Sequence, residues 1–224
     1  MKAELLVARE RYTAALDALA IADTNPDTRL RALVLAGEAL YRSGRFLEAG
    51  GAWMQVLEAD PQNVDAYRWL GVAYFELGTV KEAVHYLETA AQLAPSDPRP
   101  HRVIGLIWRK LDEFATAAEA YRESLRRSPD GYQADDARYE LAEVLNHLHR
   151  DSEALAVLRQ CHPTADVLSL RAACLYGLGQ TVEAAQLLDR DIKENPDHLK
   201  ALLVRAKIAL DRAEPQLADG LLQR

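Results

Sequence analysis

Apolar positions recur along most of this chain at helical spacing, broken at regular intervals by short polar turns. From Leu30 onward, Leu33, Ala36, Gly37 and Leu40 follow the i, i+3, i+4, i+7 pattern of one helix face. Ser43-Gly44-Arg45 interrupts that face, and Gly44 suits a positive φ just past a helix end. A second helical face follows at Phe46, Ala49, Trp53, Val56 and Leu57. Asp60-Pro61-Gln62-Asn63 stops it, because the residue before a proline is pushed away from helical angles. The pattern predicts a helix–turn–helix hairpin, and the hairpin repeats. Pro61, Pro95 and Pro129 are spaced by 34 residues, and Gly37, Gly71 and Gly105 keep the same step. So do Ala49, Ala83 and Ala117, then Trp53, Leu87 and Tyr121, then Phe46, Val80 and Phe114. Small residues such as Gly37 and Ala49 are expected where two antiparallel helices approach most closely, with Leu40 and Trp53 filling the flanking space.

These columns resemble the tetratricopeptide repeat (TPR), a 34-residue helix–turn–helix unit. Residues 64–97 match it best, through Tyr67, Leu70, Gly71, Tyr74, Gly78, Ala83, Leu87, Ala90 and Pro95. The next unit carries Ile104, Gly105, Trp108, Phe114, Ala117, Tyr121 and Pro129, and departs at His101 and at Asp112, where a glycine is usual. Beyond Asp130 the register slips: about three residues are inserted near 131–134, and a helix is shortened at Cys161-His162-Pro163. Ala172, Gly179, Ala184, Leu188 and Pro196 restore it. The resemblance implies an all-α fold, a right-handed α-solenoid of stacked pairs, each burying its apolar faces on its neighbours. The expected organisation is one domain over 1–224. It has an N-terminal helix at 3–22 and repeats at about 30–63, 64–97, 98–131, 135–164, 165–198 and 199–224. The last unit breaks off inside its second helix with Leu221 and Leu222 expected on an open face.

Composition narrows the function classes. The net charge is −7 and 27% of residues are charged, so a general grip on nucleic acid is disfavoured. No run of about 18 apolar residues predicts membrane insertion. Glu4, Arg9, Glu10 and Arg11 interrupt the stretch a signal peptide would need, so a cytoplasmic location is expected. Two cysteines cannot build a disulfide framework or a four-thiolate zinc site.

Catalytic and metal signatures are weak. His149-Arg150-Asp151 spells a kinase catalytic-loop triplet, but no Gly-rich loop or Asp-Phe-Gly accompanies it, and it falls in a turn. Gly177-Leu178-Gly179 has no preceding strand and reads as a helix-ending turn. His147 and His149 are separated from Cys161 and His162 by a helix of about ten residues, roughly 15 Å, whereas zinc needs ligands within about 2.3 Å of one point. Cys161 and Cys174 read as packed free thiols, and Asp135-Asp136 and Glu140/Glu143 as solvated helix faces. No catalytic residue, metal or cofactor is expected.

In the family that the chain resembles, the first helix of each pair lines a concave groove. Carried over slot by slot, the first three units supply Arg31, Val34, Glu38, Tyr41 and Arg42; Asp65, Arg68, Val72, Phe75 and Glu76, with Trp69 at the margin; and Arg99, Arg102, Leu106, Arg109 and Lys110. Seven of these are basic and three acidic, the reverse of the whole chain. The resemblance therefore implies a non-catalytic interaction scaffold that binds a protein or peptide segment with acidic and apolar side chains. Arg68, Arg102 and Arg109 would meet carboxylates, Arg31 would join the partner-binding wall, and Val34, Trp69, Val72, Phe75 and Leu106 would supply apolar contact. The other reading has these arginines paired with Glu38, Asp65 and Glu76 on a solvated face. The ninth slots hold Glu38, Val72, Leu106, Glu143, Ala173 and Lys207, without the Asn that family members use to clamp chaperone C-terminal carboxylates. Two further readings rest on the unfinished last unit: a recruiting part of a larger enzyme such as a glycosyl- or sulfotransferase, and self-association through the C-terminal helix.

Overall fold

The computed structural model describes residues 26–131 and 133–224; the helix expected at 3–22 lies outside the described residues. Twelve α-helices run through the described chain. They are α1 (Pro26–Arg42), α2 (Phe46–Ala59), α3 (Val64–Glu76), α4 (Val80–Leu93), α5 (Arg99–Lys110) and α6 (Phe114–Arg127). Then follow α7 (Ala134–His147), α8 (Asp151–Leu158), α9 (Ala165–Gly177), α10 (Thr181–Glu194), α11 (Leu199–Asp211) and α12 (Pro215–Leu222). The all-α reading holds, with helices packed pairwise in chain order. None of them is long and apolar enough to cross a membrane. The residues group into two compact units divided inside α5, between Ile107 and Trp108.

In the first unit α1 packs on α2, α2 on α3, and α3 on α4. Its core gathers Leu40, Ala49, Ala52, Trp53, Val56, Ala66, Leu70 and Ala73. The glycine column explains how closely the helices meet. A Cβ on Gly71 would stand 2.5 Å from Leu87 Cγ and 2.9 Å from the Ala83 carbonyl oxygen. On Gly37 it would stand 2.5 Å from the Trp53 ring. Trp53 therefore does not flank Gly37; its indole lies directly on it.

The second unit pairs α7 with α8, α9 with α10 and α11 with α12, and the first helices also touch along the stack, α7 with α9 and α9 with α11. Its main cluster includes Ala172, Leu175, Leu188, Ile192, Leu202, Ala206, Ile208, Ala218 and Leu221. Here one expectation is corrected. Leu221 is only 8% exposed and belongs to this core, whereas Leu222 is 54% exposed. Leu221 reaches the cluster together with Ala218, three residues before it on the same helix, and Leu222 does not.

Each helix pair turns through one left-handed residue. Gly44 (φ 77°), Gly78 (φ 81°) and Gly179 (φ 77°) take this place, as expected for Gly44, but Asp112 (φ 59°), His149 (φ 58°) and Ala213 (φ 57°) hold it in the other turns. An L-residue there carries backbone strain that glycine avoids. Side-chain caps add local definition: Asn63 accepts from the Ala66 amide at 2.9 Å and Thr164 from the Val167 amide at 3.3 Å.

Two stability changes follow. Gly71→Ala should destabilise the first unit by about 1–3 kcal/mol, the cost of overpacking a fitted contact; urea unfolding followed by Trp fluorescence measures it. Ala213→Gly should stabilise the second unit by about 0.5–1 kcal/mol, the relieved strain less the added freedom of the unfolded chain; a lower midpoint would contradict it.

Candidate partner-binding site

On α3, Ala66, Leu70 and Ala73 are buried in the core. At 100° per residue, Asp65, Arg68, Val72, Phe75 and Glu76 occupy the opposite side. Two contacts extend that side across helices. The Tyr41 ring of α1 lies 5.6 Å from the Trp69 ring of α3, and its hydroxyl hydrogen-bonds to Glu76. Burial, then the Glu76 charge, push the Tyr41 hydroxyl above its ordinary pKa. From the other flank, Arg99 of α5 pairs with Asp65 of α3 at 3.1 Å. The first helices of this unit thus present their slot residues on one connected surface. Arg31 is exposed, and Val34, Arg68, Trp69, Val72, Phe75, Arg102 and Leu106 are half-buried.

The arginines of this surface have partners within the chain. Arg68 pairs with Asp65 at 3.0 Å, and its guanidinium lies 4.9 Å over the Trp69 ring. Arg42 pairs with Glu38 at 3.0 Å. Arg99 makes hydrogen bonds of 2.8–3.0 Å to both oxygens of Asp97. Burial pushes the Asp97 carboxyl up, but these Arg99 bonds outweigh it and hold the group below its ordinary pKa. Of the two readings left open by sequence, intramolecular pairing therefore applies to Arg68. Trp69 stacks on the core Trp53 at 5.5 Å and 11°, so one of its faces is committed to packing.

Arg109 falls in the second unit, where it pairs with Glu143 of α7 at 2.5 Å. This unit builds a wall of its own from α7, α9 and α11. Lys200 donates to the Tyr139 hydroxyl at 3.0 Å and pairs with Asp166 at 3.0 Å. Lys207 stands 5.5 Å over the Tyr176 ring. Behind Tyr139, Asp166 and Lys200 lies what sequence reading missed, a buried Asp191 joined to His198 at 2.6 Å. The available signal was a charged residue in the column of Val56 and Ala90.

The chemistry of these clusters is not that of an active site. Ser169, His198 and Asp191 form a trio, but Ser169 and Asp191 both sit on the Nδ1 side of the ring, at 3.5 and 2.6 Å. A nucleophilic serine needs the ring nitrogen opposite its carboxylate partner, and here that nitrogen faces Asp166 at 3.3 Å. Ser169 is also 2% exposed. Cys161 is half-buried and Cys174 buried. Burial, then nearby carboxylates, push these thiols up to about 11 and about 12. Among the described residues no group of His, Cys, Asp and Glu is arranged to hold a metal ion. Asp135 is not a bare solvated carboxylate: it pairs with the His162 ring, which holds it below its ordinary pKa, and with Arg138 at 2.8 Å. Glu143 is likewise paired, and His147 stacks on Phe114 at 4.6 Å and 4°.

Hairpins in a common register, small residues under large ones and connected first-helix faces define a helical-repeat interaction module. The tetratricopeptide-repeat family model matches residues 1–63, 34–98 and 104–161, more than half of the chain. The chain belongs to the tetratricopeptide-repeat family. Among curated relatives, Hsp70-Hsp90 organizing protein 1 of Glycine max is 23% identical over 176 residues, covering 77% of this chain and 30% of that protein. The chain thus spans under a third of that relative's length. A tetratricopeptide repeat protein from Parabacteroides merdae superposes with TM-score 0.71 at 18% identity, over 99% of this chain and 88% of that one. YrrB, a TPR protein with an unusual peptide-binding site, superposes with TM-score 0.61 at 17% identity, over 77% and 89%.

If the surface ion pairs serve something other than folding, removing one should cost little. Asp65→Asn is expected to shift unfolding free energy by less than about 1 kcal/mol, as for other solvent-screened pairs. Thermal melts at low and high salt check this; a larger loss would make the pair structural.

Proposed function

We propose that the chain is a non-catalytic cytoplasmic interaction module that binds a protein or peptide segment with acidic and apolar side chains on the first-helix surface of its first unit. Arg31, Arg68 and Arg102 meet the carboxylates, and Val34, Trp69, Val72, Phe75 and Leu106 take the apolar side chains. The observation that carries the reading is the connected surface itself, joined by the Tyr41–Trp69 and Asp65–Arg99 contacts and carrying cations beside half-buried apolar residues. Family membership supports it, as does the peptide-binding site of a fold relative.

Energetics divide the labour. Arg68 already holds Asp65, so a partner carboxylate exchanges one ion pair for another and gains little affinity. Selectivity and encounter rate come from the arginines, and affinity from desolvating Val72, Phe75 and Leu106. The soybean relative is named for organising Hsp70 and Hsp90. Absence of Asn from every ninth slot supports a partner engaged by its internal side chains rather than by a clamped chaperone terminus.

The test is a titration with a fluorescein-labelled peptide of alternating leucine and glutamate. Arg68→Glu with Arg102→Glu should weaken binding by about ten-fold or more and flatten its salt dependence. Unchanged affinity and salt slope would reject the surface.

A further inference from the structure

One repeat differs from the others at a core position. Five residues before Pro61, Pro95, Pro129 and Pro196 stand Val56, Ala90, Ser124 and Asp191. All four are buried, and only the last carries a formal charge. An aliphatic residue suffices for packing at this place, whereas a buried carboxylate is costly unless fully partnered. Asp191 is partnered: it accepts from His198 Nδ1 at 2.6 Å, Asn195 Nδ2 at 2.9 Å and Ser169 Oγ at 3.3 Å. The His198 ring continues to Asp166, with Nε2 at 3.3 Å from its Oδ1. Asp166 in turn holds Lys200, which donates to Tyr139.

His198 is the N-cap residue of α11 but makes no capping bond with its side chain. The ring instead bridges α10 and α9. Only a doubly protonated imidazole donates from both nitrogens; the neutral ring turns a lone pair toward one of the two carboxylates. We propose that His198 is a proton-operated clip that fixes α11 against α9 and α10, closed while its ring is doubly protonated and released when the ring loses a proton.

The surroundings set the sign. Partial burial disfavours the charged ring, but hydrogen bonds to Asp191 and Asp166 outweigh it and hold the imidazole above its usual 6.5. Lys200 holds Asp166 below the usual carboxylate value. A group whose folded pKa is raised stabilises fully below the unfolded value, and that stabilisation is lost as pH rises through the folded one. The groups facing the ring are Asp166 and Ser169 from α9, Asp191 and Asn195 from α10 and its cap, Lys200 on α11, and Tyr139 of α7 through Lys200. What the clip positions is the side of α11 that carries Leu203, Lys207 and Leu210, beside Tyr176 of α9. This inference is independent of the surface proposed for the first unit.

Amide hydrogen exchange on the full chain tests it, with the buried Ala206, Ile208 and Ala209 of α11 as reporters and Leu70 and Ala73 of α3 as reference. Between about pH 6 and about pH 8.5, after correction for intrinsic exchange, α11 protection should fall about ten-fold or more relative to α3. Asp191→Val with His198→Asn rebuilds the Val56 and Asn63 pair of the first repeat. That variant should lose less than about two-fold over the same range. His198→Gln, which keeps a donor without a titrating group, should also be flat. A wild-type change below about two-fold, or a full change persisting in either variant, overturns the clip.

Discussion

Close approach within the helix pairs of the first unit depends on a small residue of one helix lying directly beneath a large side chain of the next. Gly37 sits under Trp53 and Gly71 under Leu87, with so little room that a single Cβ would overlap the covering side chain. That contact sets how near the helices come and how they are rotated about their axes. Rotation in turn decides which side of each first helix is spent on the core and which remains for other molecules. The Asp65–Arg68–Val72 side of α3 is available because Ala66, Leu70, Ala73 and Gly71 take the buried directions.

The same geometry accounts for the electrostatics. Equivalent slots of successive pairs are neighbours in space, so charges 34 residues apart meet: Asp65 with Arg99, and Arg109 with Glu143. Exposed pairs of this kind add little to folding. They hold long cationic side chains in defined positions beside half-buried apolar ones, an arrangement that would lower the ordering cost of the binding proposed for this surface. The acidic chain as a whole leaves such a surface locally distinct.

Helices, turns and pairing were legible because repetition multiplies each weak local signal. Gly44 was read correctly as left-handed, and the same register identifies Asp112, His149 and Ala213 as its equivalents although their side chains give no hint. What escaped depends on distances between helices. The Arg109–Glu143 pair follows from the 34-residue step only once helix faces are fixed, and the burial of Leu221 beside an exposed Leu222 emerges only from the packing of the last helices. Asp191 was legible in principle as the charged member of an apolar column, yet its meaning needed His198, seven residues on across a turn. Similarly, a Ser–His–Asp trio that sequence would never assemble is disqualified by which ring nitrogen each partner uses.

The central claim is that recognition occurs on the outward side of the first helices in the first unit. Amide chemical-shift mapping of the isotope-labelled chain during titration with an acidic, leucine-containing peptide addresses it most directly. The account requires perturbations concentrated on α1, α3 and the Arg99–Leu106 stretch of α5, with Val72 and Phe75 among the largest. Perturbations gathered on α2 and α4, or spread evenly over both units, would contradict it.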